Sequence, residues 1–307
     1  MCGIAGLVNL KRNLDGNELA LQAKRMADAL YHRGPDTGGQ WTDAPNGLAF
    51  SFRRLAIIDL SPSGRQPMVS RDQRYAIVFN GEVYNYQELR SELVGQGVSF
   101  RGTSDTEVIL EAFGRWGIEE TVKRLIGMFA IALWDRDEHR LWLVRDRLGI
   151  KPLYFGTVGD QFLFGSELKA LRAAEGWQPE IDRDAVAAYL RFNYIPAPRS
   201  IYKNIFKLPP GSLLSITPGG EPDVRRYWSM ADVIQQDRIE ASDDQVINSA
   251  EALMRDAVRR RMVADVPLGA LLSGGVDSTT VAALMQAESD TPIRTFTIGF
   301  EDAAYDE

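Results

Sequence analysis

The hydrophobic pattern of the chain changes once, near residue 242, and this change constrains the fold more than any other feature. Before it, short apolar runs alternate with glycine- and proline-rich turns, which is typical of a strand-rich α+β domain. After it come a buried strand (VPLGALL), a loop (SGGVDS), a helix (TTVAALMQAE) and a further strand (IRTFTIGF). That order indicates a parallel α/β domain, so the 307 residues predict two domains.

The first domain is predicted to cover residues 2–200. Its pattern predicts strands near 3–9, 47–52, 54–58, 75–79 and 153–165, helices near 17–31, 85–95 and 105–116, and a hairpin over 128–145. Residues 201–241 are proline-rich and predict an extended connection with a late strand pair near 212–228.

The second domain is predicted to cover residues 242–307 and to open with an amphipathic helix over 242–264. A doubly wound sheet normally has more strands than this segment supplies. The second domain is therefore predicted to be incomplete or unusually small.

Charge and composition exclude several classes of partner. The 35 basic and 42 acidic residues leave a net charge of −7, which offers no electrostatic attraction for nucleic acid. No segment approaches the ~20 apolar residues of a membrane span, and the apolar start precedes Lys11 and Arg12, the reverse of a signal peptide. Because the single cysteine excludes an intrachain disulfide, the predicted compartment is the cytoplasm.

That single cysteine, Cys2, becomes the first residue if Met1 is removed. A thiol is a weak nucleophile until a base deprotonates it, and a free α-amine with a pKa of ~7.7–8 can act as that base. The alternative is a small apolar residue at the start of a strand. His32 and His139 are interpreted as surface or structural residues, and two histidines with one cysteine exclude a zinc site built from Cys and His.

Six motifs along the first domain resemble a known family. MCGIAGLV, HRGPD, RLAIIDLS, NGEVYNY, TSDTE and RDRLGIKPLYF are similar to the N-terminal glutaminase domain of class II glutamine amidotransferases, which are N-terminal-nucleophile hydrolases. LLSGGVDS narrows the resemblance to the glutamine-hydrolysing asparagine synthetase type, and the resemblance covers essentially the whole chain. It implies an αββα sandwich followed by the start of a parallel-sheet ATP-pyrophosphatase domain.

The resemblance implies roles for the first domain. Cys2 would attack the side-chain amide of glutamine, with the Asn80 side chain and the Gly81 N–H as oxyanion donors. Arg54 would bind the substrate α-carboxylate, and Glu82 and Asp105 would bind its α-ammonium. The pocket would further be lined by Leu55, Ala56, Ile57 and Ile58.

Each of these motifs also has a structural reading when it is taken alone. Arg54 would be a surface charge, NGE a hairpin turn, and Ser104 or Asp105 a helix cap. Many relatives carry a histidine before the arginine pair, where this chain has Phe52. That difference is expected to affect loop packing around Arg54 and to leave the glutaminase assignment unchanged.

In the second domain, LLSGGVDS places a glycine-rich loop between a strand and a helix. Such a loop makes an anion-binding nest of backbone N–H groups, and it lacks the Gly-Lys-Ser/Thr ending of a Walker A loop. It resembles the pyrophosphate loop of ATP pyrophosphatases, and the alternative is a tight turn without a ligand. The resemblance implies an ATP site with Asp277 helping to hold Mg²⁺ and with contacts from Leu271, Ser273, Gly274, Gly275, Asp277, Ser278 and Ile298.

The whole reaction implied by the resemblance is asparagine synthesis from glutamine, aspartate and ATP. Ammonia from the first domain would displace AMP from the adenylated aspartate β-carboxylate. No second glycine-rich segment and no aspartate pocket follow FEDAAYDE, so a complete glutaminase half and an incomplete synthetase half are expected. Two alternatives stay open, an amidotransferase acting on another acceptor and a non-catalytic module that binds glutamine or nucleotide. The sequence also leaves open whether two copies form a homodimer.

Overall fold

The computed structural model describes residues 1–236, 238 and 240–299. The chain divides into two compact units, Met1–Ile234 and Gln235–Glu307. Among the described residues, every helix is too short or too polar to cross a lipid bilayer.

The first unit is built from two antiparallel sheets and seven helices in its described residues. Its strands are β1 (Gly3–Asn9), β2 (Thr37–Asp43), β3 (Leu48–Arg54), β4 (Met68–Val69), β5 (Tyr75–Val83), β6 (Gly127–Asp135), β7 (Arg140–Arg145), β8 (Tyr154–Val158), β9 (Gln161–Gly165), β10 (Ile205–Lys207), β11 (Ser212–Ile216) and β12 (Asp223–Arg226). Its helices are α1 (Gly16–Asp28), α2 (Tyr86–Gly95), α3 (Asp105–Trp116), α4 (Ile118–Arg124), α5 (Leu168–Arg172), α6 (Arg183–Phe192) and α7 (Met230–Ile234). The strand orders are β10-β8-β9-β1-β3-β2 in the first sheet and β12-β11-β7-β6-β5-β4 in the second.

Three apolar clusters show how the layers stack. The central cluster joins side chains of both sheets, among them Ile4 and Val8 of β1 and Val78 of β5. Their strand neighbours point the other way, because successive side chains of a strand alternate between its faces. Leu7 packs with α1 and α5 on one outer side, and Ile77 packs with α2, α3 and α4 on the other.

The result is a four-layer αββα sandwich, as the resemblance implied. Central strands such as β1 and β6 are covered on both faces, which explains their almost continuous apolar runs, GIAGLV and FAIALW. The strands of a sheet with one solvent-exposed face would instead alternate apolar and polar residues.

Three local predictions differ from the structure. The strand predicted over 54–58 does not form, because β3 ends at Arg54 and the chain continues as a loop to a 3₁₀ turn at Pro62–Gly64. The helix predicted over 17–31 ends at Asp28, and Tyr31–Arg33 form a separate 3₁₀ turn.

The third difference concerns the connection predicted over 201–241. In the structure, β10 pairs with β8, β11 pairs with β7, and β12 pairs with β11, so these strands extend the two sheets of the first unit. The reason is burial: Leu213, Leu214 and Ile216 complete the apolar clusters around the second sheet.

The described part of the second unit contains two helices and a two-stranded parallel sheet. The elements are α8 (Asp243–Arg261), β13 (Gly269–Leu271), α9 (Val276–Ala287) and β14 (Arg294–Phe296). β13 pairs with β14 in parallel, which confirms the predicted strand–loop–helix–strand order. Ser242 caps α8 in a reciprocal capping box with Gln245, which explains where this helix begins.

Candidate active site

A cavity of about 170 Å³ in the first unit is lined by residues of both sheets. Of the residues that the sequence predicted for a glutamine site, it brings together Cys2, Arg54, Leu55, Ile57, Ile58, Asn80, Gly81, Glu82 and Asp105. Ala56 does not line the cavity, and its backbone N–H donates to Asp36 Oδ2 at 2.9 Å. The predicted residues that line the cavity therefore come from four separate motifs.

Cys2 lies directly before β1, and the surrounding chain fixes its backbone. Arg33 Nε donates to the Cys2 carbonyl oxygen at 2.9 Å, and Arg33 Nη1 donates to Glu167 Oε1 at 2.7 Å. The backbone N–H of Leu55 donates to Cys2 Sγ at 3.4 Å. The sulfur is thus held at the cavity wall by the loop that follows β3.

The protonation state of this sulfur depends on its burial. Burial raises the pKa of the Cys2 thiol, although the Leu55 N–H, the terminal ammonium and Arg54 all act to lower it. The pKa of the terminal amine at Met1 is lowered, chiefly by burial and further by Arg33 and Lys151. A protonated thiol can therefore donate its proton to a nearby amine whose lowered pKa favours the neutral form.

Glu167 anchors the arginine that holds Cys2. Burial alone would raise the pKa of Glu167, but hydrogen bonds from Arg33, His32 and Lys169 lower it to about 2. His32 is half-exposed and lies 3.1 Å from Glu167 Oε1, in keeping with its interpretation as a surface or structural residue.

Arg54, at the end of β3, is buried and reaches into the loop that follows. Its Nη2 donates to the carbonyl oxygens of Ile58 at 3.2 Å and Asp59 at 2.5 Å. A guanidinium has five N–H donors, and the bonds that the described residues make to this one use only Nη2. Arg54 therefore keeps donors for a carboxylate in the cavity that it lines.

The same loop leaves little room around the Arg54 guanidinium. A Cβ at Gly64 would lie 2.5 Å from Arg54 Nη2, so only glycine leaves room for the side chain. The Asp59 carboxylate accepts hydrogen bonds from the backbone N–H of Ser61 and of Thr103, which ties the loop to the start of α3.

Asn80 carries a buried hydrogen-bond donor that indicates a ligand site in the cavity. The residue lies on β5, is 1 % exposed, and its Nδ2 has no hydrogen-bond partner among the described residues. A buried donor without a partner costs about 1–3 kcal/mol. Because Asn80 lines the cavity, a ligand oxygen is the acceptor that would offset this cost.

Gly81 follows on the same strand and is required by strand packing. A Cβ at this position would lie 2.1 Å from the carbonyl oxygen of Met128 on β6. Gly81→Ala is expected to destabilise the first unit by about 2–4 kcal/mol, since the obstacle is backbone and cannot rotate away. Urea unfolding followed by circular dichroism measures this loss.

Gly95→Ala is the matched control for this variant. Gly95 ends α2, and a Cβ there meets nothing within 4 Å, so the change is expected to be neutral or stabilising by up to about 1 kcal/mol. Equal unfolding midpoints for the two variants would contradict the packing argument.

Asp105 is the first residue of α3, and Ser104 caps the helix. Asp105 Oδ2 accepts the Val83 backbone N–H at 3.1 Å. Burial, with a smaller contribution from Glu82, raises the pKa of Asp105 to about 7, against the N–H groups of Val83 and Thr106. An unliganded site therefore holds a carboxyl group that is ready to ionise when a cation binds.

This raised pKa predicts how stability depends on pH. The folded state holds the proton of Asp105 more tightly than the unfolded state, whose value is 3.8, so stability is lost as the pH rises from about 4 to about 7. Asp105→Asn mimics the neutral form and is expected to raise the melting temperature by about 5 °C at pH 8 without glutamine. Near pH 4 the two proteins should melt together; a larger difference at pH 4 than at pH 8 would refute the assignment.

Several cavity residues were not singled out from the sequence as site residues. They are Met1, Phe52, Gly64, Gln66, Phe79, Ser104, Thr106, Met128 and Lys151. Lys151 lies inside the RDRLGIKPLYF motif, so a signal was present without a role attached to it. Phe52 is buried and lines the cavity together with Arg54.

In the second unit, the predicted nucleotide loop lies between β13 and α9. Gly274 has a φ of +93°, which favours glycine, and Gly275 is the N-cap of α9 without a side-chain cap. Ser273 Oγ and Ser278 Oγ lie 3.2 Å apart across the loop, and Asp277 is in the first helical turn. The N–H groups and hydroxyls suit an anion at this helix start. Leu271 and Ile298 are largely exposed.

The described residues support a metal site less well than they support an anion site. Among the described residues, no three His, Cys, Asp or Glu side chains come together as a metal cage. Mg²⁺ is commonly held by one or two carboxylates together with substrate phosphates, so Asp277 fits that ion only in the company of a nucleotide.

The comparisons with known proteins identify the class to which the first unit belongs, and this class agrees with its fold. Residues 1–228 match the family model described as a glutamine amidotransferase domain. The chain belongs to the glutamine amidotransferase family. A glutamine phosphoribosylpyrophosphate amidotransferase from B. subtilis, complexed with ADP and GMP, has the same fold at a TM-score of 0.55 and 18% identity, over 99% of this chain and 68% of that one.

The second unit and the curated relatives show a narrower similarity. Residues 249–307 match the family model described as asparagine synthase. Asparagine synthetase [glutamine-hydrolyzing] 1 of Bacillus subtilis is 38% identical over 100% of this chain and 47% of its own length. A putative asparagine synthetase [glutamine-hydrolyzing] 2 of Methanocaldococcus jannaschii is 36% identical over 100% of this chain and 61% of its own length. The chain thus spans about half the length of the curated relatives it matches.

Proposed function

We propose that the first unit hydrolyses glutamine to glutamate and ammonia with Cys2 as nucleophile. The observation that carries the proposal is a cavity lined by a thiol, a buried guanidinium, a carboxyl group with a raised pKa and an amide donor that no described residue pairs with. These are the groups that a free amino acid with a side-chain amide would need.

The chemistry follows from the roles of these groups. Removal of Met1 would leave the α-amine on Cys2, which takes the thiol proton as the sulfur attacks the amide carbon of glutamine. Asn80 Nδ2 and the Gly81 N–H would stabilise the oxyanion, and the amine would return the proton to the departing ammonia. Water then releases glutamate from the thioester and regenerates the thiol.

Recognition of the free amino acid falls to the charged groups. Arg54 would bind the α-carboxylate, and Glu82 and Asp105 would bind the α-ammonium. The ammonium would favour ionisation of Asp105, so glutamine binding near pH 7 should release a proton.

For the whole protein we propose glutamine-dependent asparagine synthesis in the cytoplasm, with aspartate as ammonia acceptor. The second unit would hold the pyrophosphate end of ATP through Ser273, Gly274, Gly275 and Ser278, with Asp277 sharing Mg²⁺. Leu271 and Ile298 would contact the nucleotide. When bound, ATP would supply the adenylyl group that makes the aspartate β-carboxylate reactive.

The test is direct and uses the chain as it stands. Glutamate and ammonia are measured in parallel after glutamine is added, and the mass of the protein shows whether Met1 is absent. Equal amounts of both products from material that lacks Met1 support the proposal. Active material that retains Met1 would refute the role of the α-amine, and tight glutamine binding without turnover would favour the non-catalytic module.

A further inference from the structure

Lys151 lies in the glutamine cavity and has no role in the reaction described above. It is 6 % exposed and lines the cavity together with Cys2 and Glu82. A lysine ammonium is almost never fully buried unless other groups compensate for the lost solvation. An apolar side chain at this position would line the cavity wall without the desolvation cost of a charge.

The backbone around Lys151 is firmly held. The Asp146 carboxylate accepts the backbone N–H groups of Ile150 at 2.9 Å and Lys151 at 3.0 Å, and also that of Phe129 on β6 at 3.2 Å. Arg145 Nε donates to the Lys151 carbonyl oxygen at 2.8 Å. The loop after β7 is thereby fastened to β6, and the lysine side chain has a fixed origin beside the cavity.

The charges near Lys151 come from several elements. Burial lowers the pKa of the Lys151 ammonium, Glu82, Cys2 and Asp146 raise it, and Arg33 lowers it further. Lys151 in turn lowers the pKa of the terminal amine. The charged groups that act on the Cys2 thiol and on the terminal amine of Met1 are Arg33, Asp36, Arg54, Asp105 and Lys151.

We propose that Lys151 is a positioning residue of the glutaminase site, whose ammonium supplies the positive field that helps Cys2 lose its thiol proton and keeps the α-amine free of one. The inference rests on the proposed glutaminase function. It assigns to Lys151 an electrostatic action through Cys2 and no contact with the reacting atoms. Glu82 and Asp146 make a buried cation tolerable in the absence of substrate.

The sign of the expected effect follows from charge alone. A nearby cation stabilises a thiolate and destabilises an ammonium, so its removal makes both groups harder to deprotonate. Lys151→Met is expected to move the midpoint of Cys2 reactivity upward by about half to one pH unit. Alkylation of Cys2 at pH 7 should then slow by about 3–10-fold.

The experiment uses the full chain and iodoacetamide. Because Cys2 is the only cysteine in the sequence, the mass increase reports this thiol alone. Rates are measured from pH 6 to 10 for wild type, Lys151→Met, Lys151→Gln and Lys151→Arg. Lys11→Met is the matched control, since Lys11 lies on the surface in an ion pair with Asp160.

The inference predicts an upward shift for the Met and Gln variants, and profiles like wild type for Lys151→Arg and Lys11→Met. A neutral variant that keeps the wild-type profile would overturn it, and so would an Arg variant that shifts as far as the neutral ones. The two neutral variants keep the test decisive if one of them does not fold. Alkylation needs no turnover, so failure of the proposed function would appear separately, as a wild-type protein that releases no ammonia.

Discussion

Cys2→Ala is expected to lower the rate of glutamine hydrolysis by about 10⁴-fold or more. The mechanism forms a covalent bond between sulfur and the glutamine carbonyl carbon, and alanine offers no atom for that bond. The remaining groups would still bind glutamine, because Arg54 and Asp105 do not depend on the sulfur. The variant should therefore lose turnover and keep binding.

The measurement is glutamate release, with glutamine binding followed by calorimetry. Among the described residues, Cys2 Sγ makes two long hydrogen bonds, both to the backbone of Leu55, and the partly buried side chain packs against the central apolar cluster. Loss of one sulfur atom should therefore leave the fold intact. Ser91→Ala, on the exposed face of α2, controls for handling and should match wild type. Equal glutamate release from wild type and Cys2→Ala would refute the nucleophile.

Asn80→Ala is expected to reduce kcat by about 10²–10³-fold with little change in KM. The oxyanion exists only after attack, so its donor stabilises the transition state more than bound glutamine. Since Nδ2 has no partner among the described residues, its removal also relieves an unsatisfied donor. The variant should consequently lose little stability.

Asn85→Ala is the control variant that distinguishes an effect on catalysis from an effect on stability. Asn85 Oδ1 accepts the backbone N–H of Ile126 at 2.9 Å, and Nδ2 donates to the carbonyl oxygen of Arg124 at 3.0 Å. Its loss should destabilise the protein by about 1–3 kcal/mol and leave kcat near the wild-type value. The oxyanion role fails if Asn80→Ala changes KM alone, or if both variants lower kcat equally.

These predictions share a physical cause. The Asn80 Nδ2, which has no partner in the described part of the chain, the carboxyl of Asp105 and the buried ammonium of Lys151 each cost stability in the empty cavity. Functional sites commonly carry such costs, because groups arranged for a ligand are incompletely satisfied without it. Bound glutamine would satisfy at least the first two.

The loop after β3 shows where local sequence was misleading. RLAII is a run of apolar and β-branched residues and favours a strand. In the structure, Arg54 bonds to the carbonyl oxygens of Ile58 and Asp59, and this curls the chain around the guanidinium instead of extending it. No propensity scale contains that contact.

The strands β10, β11 and β12 illustrate a second limit. Local patterning predicted a strand pair near 212–228 and placed it in a connection, whereas pairing with β8 and β7 assigns these strands to the sheets of the first unit. Strand partners are chosen by burial of both faces across distant segments, and a local window does not contain the partner.

Hydrophobic periodicity in the sequence determined the strand-rich α+β character of the first unit and the strand–loop–helix–strand start of the second. The αββα class and half of the residues around the cavity followed from motifs that resemble a known family. Tertiary structure decided which of them meet. It turned Ala56 away toward Asp36, left Asn80 Nδ2 without a partner among the described residues, raised the pKa of Asp105 to about 7 and brought Lys151 into the cavity that Cys2 lines. Burial and electrostatic interaction depend on distances in space, and residues far apart in the chain acquire those distances only when the two sheets pack together.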